Sequence, residues 1–193
     1  MTKTISTKRY GMHGALFGLA ATGIYLLMIF NTLAHIEALS GLRPFDMRPG
    51  GYSPDQAKSL LNALGAAGRN FYLTRQLPLD LAYPALMALT LVSLLRWFES
   101  RGASQRFAQI GIWLSIGAAI FDYLENAGIC LMILSLPNLS DSVVRASSFA
   151  SIVKSGLTSA AIMTVLLGFV IWVFRRTRTF FDDTRKQTID HCC

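Results

Sequence analysis

Four long apolar segments constrain the fold of this chain more than any other feature of its sequence. They cover residues 13–38, 77–97, 107–136 and 149–174. Each is long enough for a helix that crosses about 30 Å of hydrocarbon, which takes roughly 20 residues. None alternates apolar with polar residues, and an open sheet edge cannot satisfy its hydrogen bonds in lipid. The sequence therefore predicts an all-α, polytopic integral membrane four-helix bundle, with residues 1–193 as a single transmembrane domain.

The composition favours the lipid bilayer as a partner over water or nucleic acid. Charged residues make up 15% of the 193 residues, whereas a soluble domain carries about 25%. We assign the net charge of +7 to topology and anionic headgroups, because the short loops offer no folded basic face for nucleic acid. P-loop, GxSxG and HExxH motifs are absent from the sequence, so no cofactor and no metal is expected.

The distribution of Lys and Arg predicts the orientation of the chain. The amino terminus, the loop between the second and third segments and the tail, residues 175–193, together hold more of these residues than the other two loops. The positive-inside rule then places both termini in the cytoplasm, with the chain in a plasma or inner membrane. Residues 13–38 are interpreted as a retained anchor, because the segment is long for the apolar core of a signal peptide.

The first extracytoplasmic loop is predicted to contain a short amphipathic helix, about residues 53–72. Ser53 can cap this helix, Pro54 needs no hydrogen-bond acceptor at its first position, and the Gln56 side chain can reach back to the cap. Leu60, Leu61, Leu64 and Phe71 then share one side. Such a helix either lies on the outer surface or caps the bundle.

Polar residues inside the third segment indicate a face that avoids lipid. Asp122, Glu125 and Asn126 follow one another at spacings of three and four, which places them on one side of a helix. Because each acid at the bilayer centre costs roughly 2.5–3.5 kcal/mol, this side is expected to face the bundle interior. Asp122 and Glu125 are close enough to interact, so one is expected to keep its proton while the other ionises.

The other segments contribute further polar residues. Asp80 precedes Pro84 by four residues, so the proline leaves the Asp80 carbonyl without its helical donor. Lys154 is the natural counter-ion for Glu125, Asp122 or Asp80, with snorkelling to the headgroups as the alternative. Asn31 and His35 lie one turn apart near the end of the first segment.

These residues all fall in the same half of the bilayer when consecutive segments run in opposite directions. On the predicted orientation this is the outer half, beneath the amphipathic helix. The sequence therefore predicts one shared polar pocket there. Its candidate ligand- or ion-binding residues are Asn31, His35, Asp80, Asp122, Glu125, Asn126 and Lys154.

Three functions fit such a pocket. The first is binding or passage of a small cation, a proton or an amphiphile; the second is an intramembrane enzyme or receptor for a sterol-like or isoprenoid lipid, with a carboxylic acid as proton donor. The third is an assembly subunit without a ligand. Whether the chain is an enzyme stays open. Gly14 and Gly18 form a GxxxG pattern that predicts a helix contact in a homo-oligomer.

The order of one span, a long outer segment and three further spans resembles that of the EXPERA membrane proteins, which include sterol isomerases and sterol-binding relatives. Asp80, shortly before Pro84, matches an acid that this group places on its second span. The isomerases carry a histidine one turn before that acid, where this chain has Gln76. The resemblance covers layout rather than a motif, and it implies the sterol-like alternative.

Overall fold

The protein is helical in all the parts that its structure describes. A computed structural model describes the backbone of residues 2–190 and the side chains of residues 9–177. Within residues 2–190 there is no strand, and the all-α prediction is confirmed. The helices are α1 (Thr2–Leu27), α2 (Leu33–Ser40), α3 (Pro54–Phe71), α4 (Leu77–Ser100), α5 (Gln105–Leu134) and α6 (Asp141–Asp190). The end of the predicted tail lies outside the described residues.

Four stretches of helix are long and apolar enough to cross a membrane, and they correspond to the four apolar segments of the sequence, although the third helix ends at Leu134 and the third segment at residue 136. They are Arg9–Ser40, Pro54–Ser100, Gln105–Leu134 and Asp141–Thr177. The first two are not uniform α-helices. A π-helical turn at Met28–Thr32 joins α1 to α2, and a second at Tyr72–Gln76 joins α3 to α4. A π turn holds more residues than an α turn, so it rotates the residues that follow it around the helix axis.

The amphipathic helix begins at the predicted cap. Gln56 N donates to Ser53 Oγ at 3.2 Å, and Ser53 N donates to Gln56 Oε1 at 2.9 Å, which together form a capping box. The helix is interrupted at Gly65, whose φ of +60° is a left-handed value that favours glycine. Its apolar side is buried with residues of α5 and α6, so it caps the ends of the long helices; the buried residues are Ala57, Leu60, Leu61 and Leu64.

The long helices pack against one another in chain order. α1 packs against α4, α4 against α5, and α5 against α6, which also contacts α4. Among the described residues α1 and α6 share no extended contact. The side of the protein between α1 and α6 is therefore the least closed.

The GxxxG pattern is used inside the chain. A Cβ atom on Gly14 would lie 3.3 Å from Leu94 Cδ2, and one on Gly18 would lie 3.3 Å from Thr90 Cγ2. Both glycines therefore let α1 approach α4 closely. The face of α1 that the sequence predicts as a contact in a homo-oligomer therefore packs against α4.

Aromatic and basic side chains gather at the end of the helices opposite α3. The rings of Trp97 and Trp172 lie 5.2 Å apart. Arg101 lies 4.6 Å from the Trp97 ring centre, and Arg176 lies 5.5 Å from that of Trp172. Tryptophan and arginine in this arrangement are typical of a membrane–water interface.

Candidate functional site

A cavity of about 220 Å³ lies near the α3 end of the long helices. Its polar wall consists of Asp46, Asp80, Asp122 and Lys154, which come from the outer loop, α4, α5 and α6. Its apolar wall comes mainly from the first span, through Met28, Ile29 and Leu33, with Met47 from the loop. Tyr25 and Tyr83 complete the lining, and their rings lie 5.8 Å apart. The cavity is therefore acidic on one side and apolar on the other.

Lys154 is held by the acids of α5. Its Nζ lies 3.1 Å from Asp122 Oδ1 and also contacts Glu125 Oε2. Glu125 is fully buried and accepts a further hydrogen bond from Ser151 Oγ. The prediction that Lys154 is the counter-ion is confirmed for Asp122 and Glu125. Because the Lys154 ammonium contacts these two acids, it forms no ion pair with Asp46 or Asp80, the other acids of the cavity.

Asp80 and Asp46 are the two acids of the cavity that are not in an ion pair with Lys154. Asp80 is 3% exposed, and its Oδ2 has no hydrogen-bond partner among the described side chains and backbone. Asp46 and Asp80 both line the cavity. Asp46 Oδ2 accepts from the Tyr72 hydroxyl, while its Oδ1 is buried and also unpartnered in this part of the chain. Each of the two carboxyl groups therefore has one buried oxygen without a hydrogen-bond partner among the described residues.

Asn126 is adjacent to this site, but its amide serves the backbone. Asn126 Nδ2 donates to the main-chain carbonyl of Asp80 at 2.9 Å. This is the carbonyl that Pro84 deprives of its helical donor. Asn126 is 1% exposed and does not line the cavity, so it supports the segment that presents Asp80.

Asn31 and His35 lie outside the cluster. Both side chains are exposed, and the His35 ring packs 4.5 Å from the ring of Phe71. In this stretch Thr32 and Leu33 are buried instead. The Thr32 hydroxyl forms a hydrogen bond with the Gln76 side chain. The π turn at Met28–Thr32 accounts for the difference, since residues beyond it do not keep the face that regular helical spacing predicts.

The loop between α2 and α3 supplies side chains near the cavity that sequence reasoning missed. Tyr52 donates from its hydroxyl to Ser147 Oγ at 2.7 Å, and its backbone N–H donates to Ser148 Oγ at 2.8 Å. Burial raises the pKa of the Tyr52 hydroxyl above its ordinary value. These bonds fix the loop on α6 and thereby hold Asp46 over the cavity.

The sequence contained only a weak signal for these residues. Asp46 lies between Phe45 and Met47, so an acid flanked by apolar residues in a loop was the available indication. Tyr72 carried no such signal. Neither residue belongs to the periodic pattern of a spanning segment, so helical spacing could not assign it a depth.

A smaller space continues from the cavity toward the middle of the helices. It measures about 20 Å³ and shares Tyr83 and Asp122 with the cavity, with Ser115 and Thr158 further along. A space of this size holds about one water molecule. This smaller space therefore has room for water rather than for a ligand.

Comparisons of the chain with protein-family models, with curated proteins and with solved structures found no match.

Proposed function

We propose that this chain is an integral membrane protein that binds a small organic cation, or the cationic head of an amphiphile, in the cavity. Four stretches that are long and apolar enough to span a membrane support this proposal. The Lys and Arg distribution favours an orientation with both termini in the cytoplasm. In that orientation the cavity lies in the outer half of the membrane. Trp97 and Trp172, which pack together at the opposite end of the helices, then lie at the cytoplasmic interface.

The observation that carries this proposal is the burial of the Asp80 carboxyl with an unpartnered oxygen. Asp80 is 3% exposed and lines the cavity, and one of its carboxyl oxygens has no partner among the described residues. Burying such a group costs free energy unless something binds it. The acids Asp46, Asp80 and Asp122 outnumber the one cation of the cavity, and that cation is held by Asp122 and Glu125. A positively charged ligand complements this excess.

The rest of the lining favours an organic cation with an apolar body. Met28, Ile29 and Leu33 offer hydrocarbon contacts, and Tyr25 and Tyr83 offer aromatic faces to an ammonium group. The volume of about 220 Å³ exceeds the roughly 150 Å³ that holds benzene in an engineered cavity. The smaller space next to the cavity holds about one water molecule, which supports binding rather than passage of such a cation.

The direct test measures binding of benzyltrimethylammonium to the protein in lipid nanodiscs by calorimetry. Its neutral isostere, neopentylbenzene, has the same shape without the charge. We expect the cation to bind at least tenfold more tightly than the isostere, since a desolvated cation over aromatic rings gains about 2 kcal/mol. Equal affinity for the two compounds would contradict the proposal.

Two variants locate the binding. Asp80→Asn is expected to remove most of the preference for the cation. Asp141→Asn makes the same chemical change at an exposed position, paired with Lys58 at 3.1 Å, and is expected to leave binding unchanged. An unaltered preference in Asp80→Asn would place the ligand elsewhere.

A second candidate is a receptor or intramembrane enzyme for a sterol-like or isoprenoid lipid, with Asp80 as proton donor. The observation that favours it is the side between α1 and α6, where no extended helix contact closes the protein and where Tyr25 is 45% exposed. A lipid could enter the cavity there from the bilayer. Mass spectrometry of lipid retained after gentle extraction, lost in Asp80→Asn, would support it.

The role of an assembly subunit without a ligand is the outcome if both tests fail. In that case neutralising Asp80 or Asp122 would change only the thermal stability of the protein or the recovery of its partners.

A further inference from the structure

Polar bonds join most of the neighbouring helices at the level of the cavity. The Thr32 hydroxyl donates to Gln76 Oε1 between the first span and the second. The Asn126 amide donates to the main chain of α4, which joins α4 to α5. Lys154 pairs with Asp122, which joins α6 to α5. Three sides of the cavity are therefore held together by hydrogen bonds or ion pairs.

The side between the first span and α6 is the exception. Within the described part of the chain, no hydrogen bond, ion pair or ring contact joins residues 25–33 to residues 147–158, and α1 shares no extended contact with α6. Both elements nevertheless line the cavity, through Tyr25 and Lys154 among others. Tyr25 is 45% exposed. The cavity therefore reaches the surface of the protein in the gap between α1 and α6.

The loop between α2 and α3 covers the end of the cavity nearest α3. Asp46 and Met47 of this loop line the cavity. Phe45 is fully buried, and its ring lies 4.7 Å from that of Tyr52, which in turn donates to Ser147 Oγ on α6. A ligand from the outer aqueous phase would have to displace this packed loop, whereas a ligand from the bilayer meets the gap between α1 and α6.

The smaller space next to the cavity offers no room for a hydrocarbon chain. It shares Tyr83 and Asp122 with the cavity and holds about one water molecule. A chain attached to a head group in the cavity therefore has to leave the bundle sideways. The gap between α1 and α6 is the side on which it meets lipid.

We propose that the ligand is a single-chain cationic amphiphile that enters the cavity from the bilayer between α1 and α6. Its ammonium head lies beside Asp80, whose buried Oδ2 has no partner among the described residues. Its chain lies in the gap and stays in contact with lipid, so that the apolar surface of the chain is kept out of water. The inference rests on the proposed function and names the class of the ligand and its route.

The first test compares alkyltrimethylammonium ions whose chains run from butyl to dodecyl. Each ion displaces tritiated benzyltrimethylammonium from the protein in lipid nanodiscs, and its Kd refers to the concentration free in water. A chain that stays in hydrocarbon gains a similar free energy with every added methylene. We expect the Kd to fall about fourfold per methylene over the whole series, both for the wild type and for the control Asp141→Asn.

A chain that is enclosed in the cavity, or that points into water, gives a different result. The Kd would then level off once the chain outgrows the cavity of about 220 Å³. That outcome would overturn the lateral route and leave the proposed function standing. If tritiated benzyltrimethylammonium does not bind to the wild type, both proposals fail.

The second test locates the chain. Dodecyltrimethylammonium that carries a diazirine at the end of its chain is cross-linked to the protein by light, and the labelled peptides are identified by mass spectrometry. Label that excess benzyltrimethylammonium removes belongs to the site, whereas label from bulk lipid is not displaced. We expect displaceable label on α1 and α6, or on α4 behind the gap, in the wild type and in Asp141→Asn, and much less of it in Asp80→Asn.

Three outcomes of this labelling would overturn the inference. Displaceable label on α5 or on the loop between α2 and α3 would contradict the route. Its absence from a protein that binds benzyltrimethylammonium would show that the amphiphile does not occupy the cavity. Equal displaceable label in Asp80→Asn and the wild type would contradict the position of the head group. The series of chain lengths decides the question even if Asp80→Asn does not fold.

Discussion

The side chain of Asn126 on α5 donates a 2.9 Å hydrogen bond to the main-chain carbonyl of Asp80 on α4. Pro84, four residues after Asp80, has no N–H with which to make the usual helical bond to that carbonyl. A neighbouring helix therefore supplies the missing donor. The bond satisfies a buried backbone group and holds α4 at the residue whose carboxyl lines the cavity.

Replacing Asn126 by Leu is expected to destabilise the protein by about 1–3 kcal/mol, because the Asp80 carbonyl becomes a buried acceptor without a donor. Unfolding by SDS in mixed micelles measures the change. In the background of Pro84→Ala, a backbone N–H is restored and can bond to the same carbonyl. The Asn126→Leu change should then cost clearly less. Equal costs in the two backgrounds would show that the amide and the proline are not coupled.

Lys154→Met is expected to destabilise the protein by about 3–5 kcal/mol, because the fully buried Glu125 loses its cation. Adding Glu125→Gln should recover part of the loss, since the amide is neutral and still accepts from Ser151. Lys58→Met provides the control. It removes the 3.1 Å ion pair of Lys58 with Asp141, whose two side chains are both exposed. The free energy of unfolding is therefore expected to change by no more than about 1 kcal/mol. Strictly additive effects of the two changes at the buried pair would contradict the interpretation.

Gly128→Ala is expected to separate α5 from α6. A Cβ atom at Gly128 would lie 2.5 Å from Ser147 Cβ and 3.3 Å from its Cα. Relief requires a backbone shift, which typically costs about 1–3 kcal/mol. The matched change Gly156→Ala meets nothing within 4 Å in the described structure, and it should be neutral or slightly stabilising. Thermal unfolding of both variants, with infrared detection, tests the difference.

Tyr52→Phe is expected to alter the response to alkaline pH. Burial raises the pKa of Tyr52 in the folded protein. A raised folded-state pKa contributes stability that is fully present below the unfolded value, near about 10, and that is lost as pH rises toward the folded value. The free energy of unfolding of the wild type should therefore fall more steeply above about pH 10 than that of Tyr52→Phe.

The three tryptophans offer a test of membrane depth. Trp97 and Trp172 pack against each other at one end of the helices. Trp113 is 64% exposed on α5, about 12 Å from the start of that helix at 1.5 Å per residue. In single-tryptophan variants, lipids brominated deep in the acyl chain should quench Trp113 most strongly. Lipids brominated near the headgroup should quench Trp97 and Trp172 most strongly. The same depth for all three would contradict the proposed insertion.

The sequence by itself determined the four long helices, the cap at Ser53 and the pairing of Lys154 with acids on α5. Each of these depends on local rules. The length of an apolar segment sets whether a helix can span a bilayer, a capping residue acts over three positions, and the cost of charge in lipid forces Asp122, Glu125 and Lys154 toward one another.

Only the tertiary structure decided which residues surround the cavity. Asp46 reaches it because a loop folds back over the helices, and the path of a loop depends on distant contacts such as that of Tyr52 with Ser147. Asn31 and His35 point away because a π turn interrupts the helical period on which their prediction was based. Regular spacing assigns a face only within a regular helix, so packing between distant segments had to supply the rest.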